Sequence, residues 1–353
     1  MLTQAAGLDE VVHPMQKALA LAESLSEAGL DPGAALAGTG LRVCDLSNAA
    51  AKMSARQLLA ICSNVMRLTD DSLFALRAGR RIHATHLGFF GFALLCSATP
   101  REALECMSRY RPLSTPIIGV EFREEAERCV LRYFDSHHLP EDLFRFVLDF
   151  QMGIAKSLLE DQMDPGFSID VVRVSYPEGQ DTGGREGLLE APIEFGCPQN
   201  ELVWDSRWMD LPQPYANSLT ATVVRETCER MLASVMADSG TAGFVMRMLA
   251  ERPGGRFPSL EEIAERLHVT SRTLRRKLQS EGTSYASMLA SVRKMLAIEY
   301  LRTTRMKTEE IAETLGFADV ANFRHAFRKW TDRSPSDYRG RVRAGREQAG
   351  ATR

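Results

Sequence analysis

The chain is 353 residues long; 44% of its residues are hydrophobic, 25% are charged, and its formal net charge is −3. These fractions are typical of soluble globular proteins and suggest neither disorder nor a membrane span. A chain of this length exceeds what one compact core usually holds, so the length predicts two domains.

The sequence carries no pattern typical of export or of a disulfide-rich protein. Asp9 and Glu10 stand where a secretory signal has basic residues, and the longest apolar stretch, 87–96, is too short to cross a bilayer and predicts core. The seven cysteines are scattered, odd in number and never spaced as CxxC. We therefore expect a cytoplasmic protein that has neither a membrane anchor nor a disulfide framework.

The first 235 residues mix helix and strand patterns. Thr99, Pro100 and Glu102 form the start of an amphipathic helix, because they combine an N-cap, a first-turn proline and a capping-box acid. The remaining elements are a hairpin that turns at 124–127, a helix at 141–160, strands at 167–177 and 201–205, and a helix at 218–232. An α+β domain is predicted, ending near residue 239.

Candidate catalytic and metal sites in this region are weak. His83 and His86 lie three residues apart, but no third ligand is placed beside them, which favours an ordinary polar role. The glycine-rich segment 181–187 lacks a following Lys-Ser/Thr and is interpreted as a loop rather than a phosphate cradle. No Gly-x-Ser-x-Gly elbow is present. We predict no catalytic residue, no metal and no cofactor, so the chain is not expected to be an enzyme.

The charge is distributed unequally along the chain. Residues 253–353 contain 20 Lys and Arg against 12 Asp and Glu, a balance of +8, whereas residues 1–252 contain 23 against 34, a balance of −11. A basic segment beside an acidic one indicates a module that binds a polyanion, joined to one that does not.

The stretch 259–280, the first motif, predicts two helices around a tight turn. Ser259 and Glu262 form a capping-box pattern, and Thr270 is placed to cap the second helix. Leu274 and Leu278 share the inward stripe of that helix. Its predicted outward face, the first polar face, comprises Thr270, Ser271, Arg272, Arg275, Arg276 and Gln279.

The stretch 308–331, the second motif, repeats this arrangement, because TEEIAETL matches LEEIAERL of the first motif. Thr308 is a candidate cap for its first helix, Gly316 suits a left-handed turn, and Asp319 is placed to cap the second helix. The inward stripe comprises Phe323, Phe327 and Trp330. The predicted outward face, the second polar face, comprises Ala321, Asn322, Arg324, His325 and Arg328.

A connecting helix is predicted between the motifs, with an apolar stripe from Tyr285 to Leu301 and with Arg293, Lys294 and Glu299 on its outside. Such a helix would hold two arginine-bearing helices about one turn of B-DNA apart, roughly 34 Å, so that both enter the major groove. Arginine suits this role because its fork bonds guanine O6 and N7 together. The alternative is a helical bundle whose polar faces are merely solvated, but the repetition within a basic segment favours double-stranded DNA.

Residues from about 240 to 340 resemble the DNA-binding domain of AraC-type bacterial transcription regulators. The matching residues are Ile311, Ala312, Gly316, Phe317, Asp319, Phe323, Phe327, Ser334, Pro335, Tyr338 and Arg339. The chain departs from the family pattern at Ala321, His325 and Asp332, and His325 leaves open which base or phosphate is contacted there. Ser334, Pro335 and Tyr338 are interpreted as a turn and a packing ring rather than as DNA contacts.

Residues from about 20 to 215 resemble the arabinose-binding-type N-terminal domain of one branch of that family. The likeness is carried by LGFFGFALLCSATPREALECMSRYRPL and IEFGCPQNELVWDSRWMDLPQP. It implies a domain that senses a small-molecule effector of unidentified chemistry, and it leaves a homodimer open.

Together these expectations describe an α+β sensing domain at 1–236 and an all-α double helix-turn-helix domain at 237–353. The resemblance implies a ligand-responsive activator of a catabolic or metabolic operon that binds double-stranded DNA and works with RNA polymerase. Two alternatives remain open: a constitutive regulator without a ligand, and a DNA-binding enzyme fusion such as an alkyl-transfer repair protein. The latter would need a zinc-held reactive cysteine, which the scattered Cys44, Cys62 and Cys96 do not provide.

Overall fold

The computed structural model of the chain describes residues 8–114, 117–179, 181–238, 240–251, 256–303, 306–331 and 333–339. The chain divides into two compact units, an N-terminal unit of residues 1–239 and a C-terminal unit of residues 240–353. In the described part of the chain, no helix combines the length and the apolar character that crossing a bilayer demands.

The N-terminal unit combines helices with a small sheet, as the sequence patterns predict. Its helices are α1 (Gln16–Glu27), α2 (Pro32–Ala35), α3 (Val43–Leu46), α4 (Ala55–Leu68), α5 (Phe74–Arg80), α6 (Gly88–Leu95), α7 (Pro100–Tyr110), α8 (Glu141–Gln162), α9 (Thr182–Leu189) and α10 (Ser218–Asp238). Short 3₁₀ turns occupy Ala84–Leu87, Arg111–Ser114 and Ser206–Asp210.

Seven strands are found in the described residues of this unit. They are β1 (His13–Pro14), β2 (Lys52–Met53), β3 (Gly119–Glu125), β4 (Arg128–Phe134), β5 (Val171–Arg173), β6 (Ile193–Glu194) and β7 (Asn200–Asp205). β1 and β2 form a short antiparallel pair, and the other five form one sheet in the order β3-β4-β7-β5-β6. The sheet is antiparallel except for the parallel pair β5-β6. The central strand β7 is buried along almost its whole length, including the polar residues Asn200 and Glu201.

The main core of the N-terminal unit lies between the sheet and the helices. Trp204 of β7 and Leu131 of β4 belong to one buried cluster with residues of α1, α4, α5 and α8. Helices α5 and α8 approach closely, because a Cβ on Gly79 or Gly153 would meet backbone atoms of the other helix. A second buried cluster joins α6, α7 and α10 through Phe90, Leu94 and Val224, among others.

Most of the local predictions for the N-terminal unit are confirmed, with four corrections. The hairpin, the long helix and the strand at 201–205 are present, but the strand predicted over 167–177 is limited to Val171–Arg173. The segment 181–187 lies largely in helix α9, so its interpretation as a loop was wrong. Thr99 caps α7, but the Glu102 carboxylate accepts from the Ala98 N–H rather than closing the expected capping box. The stretch 87–96 is only partly core, because Phe89 and Phe92 are 51% and 44% exposed.

The described part of the C-terminal unit is helical. It comprises α11 (Gly240–Glu251), α12 (Leu260–Arg266), α13 (Ser271–Ser280), α14 (Tyr285–Thr303), α15 (Thr308–Thr314) and α16 (Val320–Thr331), followed by a helical turn at 335–339. Helix α11 packs against α13 and α14. Its start is capped from within the unit, because the Glu281 carboxylate accepts hydrogen bonds from the N–H groups of Thr241 (2.9 Å) and Ala242 (2.6 Å). The all-α prediction for this unit is confirmed.

Candidate DNA-binding interface

The first helix of the first motif, α12, starts as the sequence predicts. The Ser259 hydroxyl accepts from the Glu262 N–H at 3.2 Å, and the Glu262 carboxylate accepts from the Ser259 N–H at 2.7 Å. This reciprocal pair satisfies two backbone donors that a helix start otherwise leaves unpaired. The pKa of Glu262 is lowered to about 2, first by its hydrogen bond from the Arg256 guanidinium and then by the Ser259 N–H. The cap therefore stays ionised throughout the neutral range.

The turn of the first motif contains an uncommon backbone conformation. His268 has φ +52°, a left-handed value that an L side chain adopts at a cost of about 1–2 kcal/mol. Its N–H bonds the Glu265 carbonyl, and the Val269 N–H bonds the Ala264 carbonyl, which closes the helix end. The chain then enters α13, which Thr270 caps by accepting from the Thr273 N–H at 3.2 Å.

Helix α13 separates an apolar stripe from the first polar face. Leu274 and Leu278 are fully buried, as predicted. Five members of the first polar face are exposed and Ser271 is half-buried, so the three arginines lie at the surface. The Thr270 hydroxyl is engaged in the cap and in a 3.0 Å contact with the Thr273 hydroxyl, which restricts its freedom to contact another molecule.

The second motif begins with one correction to the prediction. Lys307, not Thr308, is the N-cap of α15, and its N–H donates to the Glu310 carboxylate at 2.6 Å. Thr308 is the first residue of the helix instead. The carboxylate of Glu310 therefore takes the same role as that of Glu262 in the first motif, but no side-chain hydroxyl at the N-cap matches that of Ser259.

Gly316 forms the turn of the second motif with φ +68°, as predicted. Its N–H bonds the Glu313 carbonyl, and the Phe317 N–H bonds the Ala312 carbonyl. These bonds match those at His268 in the first motif residue for residue. The two turns therefore share one geometry at this step, with glycine in one and histidine in the other.

Arg293 of the connecting helix α14 contacts this turn, which contradicts its predicted place on the outside. The guanidinium donates to the Gly316 carbonyl at 2.7 Å and lies 4.6 Å from the ring centroid of Phe317 and 5.4 Å from that of Phe257. Burial lowers the pKa of Arg293. The side chain is half-buried and connects three segments of the C-terminal unit. A period-3.6 pattern could not reveal this, because its partners lie far away in the sequence.

Helix α16 carries the second polar face. Asp319 caps it by accepting from the Asn322 N–H at 2.7 Å, as predicted, and also holds the Asn322 side-chain amide at 2.8 Å. Phe323 and Phe327 are fully buried, while Trp330 is half-buried. Tyr338 stacks edge-on against Phe327 with ring centroids 5.6 Å apart, which confirms its interpretation as a packing ring.

All five members of the second polar face are exposed. Arg324, His325 and Arg328 supply its basic side chains, and Asn322 is already hydrogen-bonded to Asp319. Arg324 also pairs with Glu309 of α15 at 3.1 Å, and Arg275 of the first polar face pairs with Glu261 of α12 at 3.8 Å. The sequence reasoning missed both pairs. Each motif therefore presents a surface of arginine and small polar groups, the composition that recognises base edges and phosphates.

The candidates in the N-terminal unit take ordinary structural roles. His83 Nδ1 lies 2.9 Å from the Asp161 carboxylate, and His86 Nδ1 accepts from the His83 N–H. The described residues contain no group of three or more His, Cys, Asp or Glu arranged to hold a metal ion. Five of the seven cysteines are buried, Cys197 is half-buried and Cys44 is exposed.

Comparisons with known proteins give two family matches and several relatives. Residues 29–213 match the arabinose-binding domain of AraC transcription regulators, and residues 263–341 match a helix-turn-helix domain. The ornithine utilization regulator of Pseudomonas aeruginosa is 31% identical, with 92% of this chain and 96% of that protein covered. An uncharacterized HTH-type transcriptional regulator of Mycobacterium tuberculosis is 29% identical, with 93% and 96% covered. The crystal structure of the regulator CdpR from Pseudomonas aeruginosa aligns at 24% identity over 91% of this chain and 96% of that one, with a TM-score of 0.48.

Two helix-turn-helix motifs on a connecting helix, joined to a mixed α and β unit, define a DNA-binding transcription regulator. The match to the N-terminal domain model extends over more than half of the chain. The chain belongs to the AraC-type family of transcription regulators and carries an arabinose-binding-type N-terminal domain.

Proposed function

We propose that this chain is a ligand-responsive, sequence-specific activator of a catabolic or metabolic operon, acting in the cytoplasm together with RNA polymerase. In this proposal residues 237–353 bind double-stranded DNA, and residues 1–236 bind a small-molecule effector. The domain type and the names of the relatives support a regulator rather than an enzyme.

The observation that carries the DNA-binding proposal is the matched exposure of the two polar faces. In both motifs the second helix buries its apolar stripe and leaves its basic stripe at the surface. We propose that α13 and α16 enter successive major grooves. Arg272, Arg275 and Arg276 read or contact the first groove, and Asn322, Arg324, His325 and Arg328 the second.

Binding to duplexes selected from a randomised library tests this proposal. Arg275→Ala is expected to weaken binding to the selected duplex by about 1–3 kcal/mol and to relax the base preference at one position. Equal losses on the selected and on a random duplex would contradict base reading. Binding of the wild-type chain should also fall on the order of tenfold or more between 50 and 200 mM salt, because each phosphate contact releases counterions.

Two buried donors on the sheet support the sensing proposal. The Tyr133 hydroxyl and the Trp204 indole N–H lie in residues that are 3% and 2% exposed, and neither has a hydrogen-bond partner within the described part of the chain. An unpaired buried donor costs roughly 1–3 kcal/mol, and an effector carrying acceptor atoms would remove that cost. We propose that the effector binds between this face of the sheet and the helices that pack on it.

A thermal-shift panel tests whether a ligand exists. L-ornithine and related amino acids enter the panel first, because the relative with 31% identity is named for ornithine utilization. A ligand at 100 times its dissociation constant adds about 2.7 kcal/mol to the native state. Tyr133→Phe should reduce the shift of any ligand that does stabilise the wild-type chain. A panel that raises no melting temperature would favour the constitutive alternative.

An apolar surface on α6 and α10 supports a homodimer. Phe89 and Phe92 are exposed on α6, and Leu219 and Val223 are 81% and 63% exposed on α10, which packs against α6. Paired apolar residues on neighbouring helices are more than the scattered exposure of a monomer. We propose that this surface of one copy packs on the same surface of a second copy in a two-fold dimer.

Light scattering of the full chain tests this surface. Leu219→Ser combined with Val223→Ser should convert a dimer to a monomer, because both changes remove apolar contact area. Tyr215→Ser, at another exposed residue of the same unit, serves as the control and should leave the mass unchanged. A wild-type chain that is monomeric at micromolar concentration would exclude the dimer.

A further inference from the structure

Both motifs contain the same ion pair at equivalent positions. Glu261 is the second residue of α12 and pairs with Arg275, the residue after the buried Leu274. In the second motif, Glu309 is the second residue of α15 and pairs with Arg324, the residue after the buried Phe323. The N···O distances are 3.8 Å and 3.1 Å.

The pair is kept although the two motifs differ in length. The path from Glu309 to Arg324 is one residue longer than the path from Glu261 to Arg275, because the second turn carries an extra residue. The one-residue difference is absorbed between the helices, so the carboxylate again stands beside the outward arginine. All four side chains are 55–67% exposed, so packing does not force the contact.

We propose that Glu261 and Glu309 are positioning residues that raise the sequence specificity of DNA binding by holding Arg275 and Arg324 away from phosphates. The inference rests on the base-reading role proposed above for those arginines. Each carboxylate also adds a negative charge that repels the DNA backbone.

The ion pair raises specificity because it is weaker than the contact of the same arginine with its matching base. An exposed ion pair changes an equilibrium constant by about twofold to fivefold, whereas a bidentate contact to guanine is worth about fivefold to 150-fold. The arginine therefore leaves the carboxylate when the matching base is present. On other sequences the arginine can gain only a contact with a single phosphate, which is little stronger than its ion pair with the carboxylate. The arginine therefore contacts phosphate less often, and the affinity for non-specific DNA stays low.

The chain offers a matched control. Glu265 and Glu313 are exposed on the same two helices, at positions that are equivalent in the repeat. Replacing them by glutamine changes the net charge by the same amount as Glu261→Gln and Glu309→Gln do. Glu262 and Glu310 are unsuitable because they cap their helices.

The test measures two dissociation constants for each full-length variant, one for a duplex selected by the wild-type chain and one for a random duplex. Glu261→Gln and Glu309→Gln should each lower the ratio of the random to the selected constant by about threefold, mainly through tighter random binding. Glu265→Gln and Glu313→Gln should lower both dissociation constants by the same factor and leave their ratio unchanged. An unchanged ratio in Glu261→Gln and Glu309→Gln would overturn the inference.

A double-mutant cycle separates this inference from the function on which it rests. In an Arg275→Ala background, Glu261→Gln should change the ratio no further, because the carboxylate acts through the arginine. A persisting effect would show that Glu261 acts through the fold of α12 instead, and would overturn the inference alone. If Arg275→Ala itself leaves the ratio unchanged, the base-reading proposal fails first.

Discussion

The two helix-turn-helix motifs share a pattern of backbone hydrogen bonds but use different side chains to maintain it. In the first motif the N-cap is a hydroxyl, the turn residue is His268, and the inward stripe is aliphatic. In the second motif the Glu310 carboxylate caps the helix start without a hydroxyl partner, the turn residue is Gly316, and the inward stripe is aromatic. The backbone bonds that end the first helix are therefore the same in both motifs, while the turn length, the core side chains and the tertiary contacts differ.

The second motif also receives support that the first does not show among the described residues. Arg293 binds the Gly316 carbonyl and stacks on Phe317. A chain of ring contacts then runs from Phe317 through Phe323 and Phe327 to Tyr338. We therefore expect the stability of the second motif to depend more on its aromatic rings and on the contacts of Arg293. The stability of the first motif should depend more on the Ser259 cap.

The largest expected effect is the loss of a core ring. Phe323→Ala should destabilise the second motif by about 3–5 kcal/mol, because Phe323 is fully buried between two rings. Amide hydrogen exchange of peptides covering α15 and α16 measures this. Leu274→Ala is the matched change in the first motif and should accelerate exchange there by a similar or smaller amount. Equal acceleration of both motifs by Phe323→Ala alone would show that they unfold together.

Loss of the Arg293 contacts should have the next largest effect. Arg293→Met keeps much of the side-chain volume but removes the hydrogen bond to Gly316 and the contact of the charge with Phe317. We expect a loss of about 1.5–3 kcal/mol, larger in the second motif than in the first, because the contacts with Gly316 and Phe317 lie there. Exchange rates over residues 308–331 should rise more than those over 260–280. An equal rise of the exchange rates in both segments would contradict a stabilising role of Arg293 that acts mainly on the second motif.

The two turns should respond differently to a change of their left-handed residue. Gly316→Ala places a Cβ in the left-handed region and 3.3 Å from the Arg293 guanidinium, so we expect destabilisation of about 1–2 kcal/mol. His268→Gly relieves the same conformational strain and should be neutral to stabilising by up to about 1 kcal/mol. Urea denaturation of both variants, followed by the helical circular dichroism signal, measures the difference. Destabilisation by His268→Gly would show that the imidazole itself makes a needed contact.

The caps should give the smallest contrast. Ser259→Ala removes a hydroxyl that accepts from the Glu262 N–H and should cost about 1 kcal/mol. Lys307→Ala should cost almost nothing, because the Lys307 contribution to the cap is its backbone N–H. The same denaturation measurement compares them. A substantial loss in Lys307→Ala would indicate that its side chain supports the second motif in another way.

The local features were predictable from the sequence because they depend on neighbouring residues. The caps at Ser259, Thr270 and Asp319, the left-handed turn at Gly316 and the buried stripes follow from short-range patterns. The outward position of the two polar faces followed from the same helical period. Their contacts with DNA stay a prediction.

The features that were missed depend on contacts between distant segments. Arg293 has the spacing of an outward residue, and only the folded unit brings it to Gly316. The order of the five-stranded sheet requires pairing between strands far apart in sequence. Segment 181–187 forms much of helix α9 despite three glycines, and the buried Arg185 of that helix bonds Asp149 of α8. Tertiary packing therefore overrode local propensity there.

Glu281 gives the C-terminal unit a self-contained beginning. Its carboxylate satisfies the first backbone donors of α11 from a position about 40 residues further along the chain. The N-terminal unit thus supplies none of the atoms that fasten these two donors. We therefore expect the DNA-binding unit to keep its first helix when it is joined to a different sensing domain.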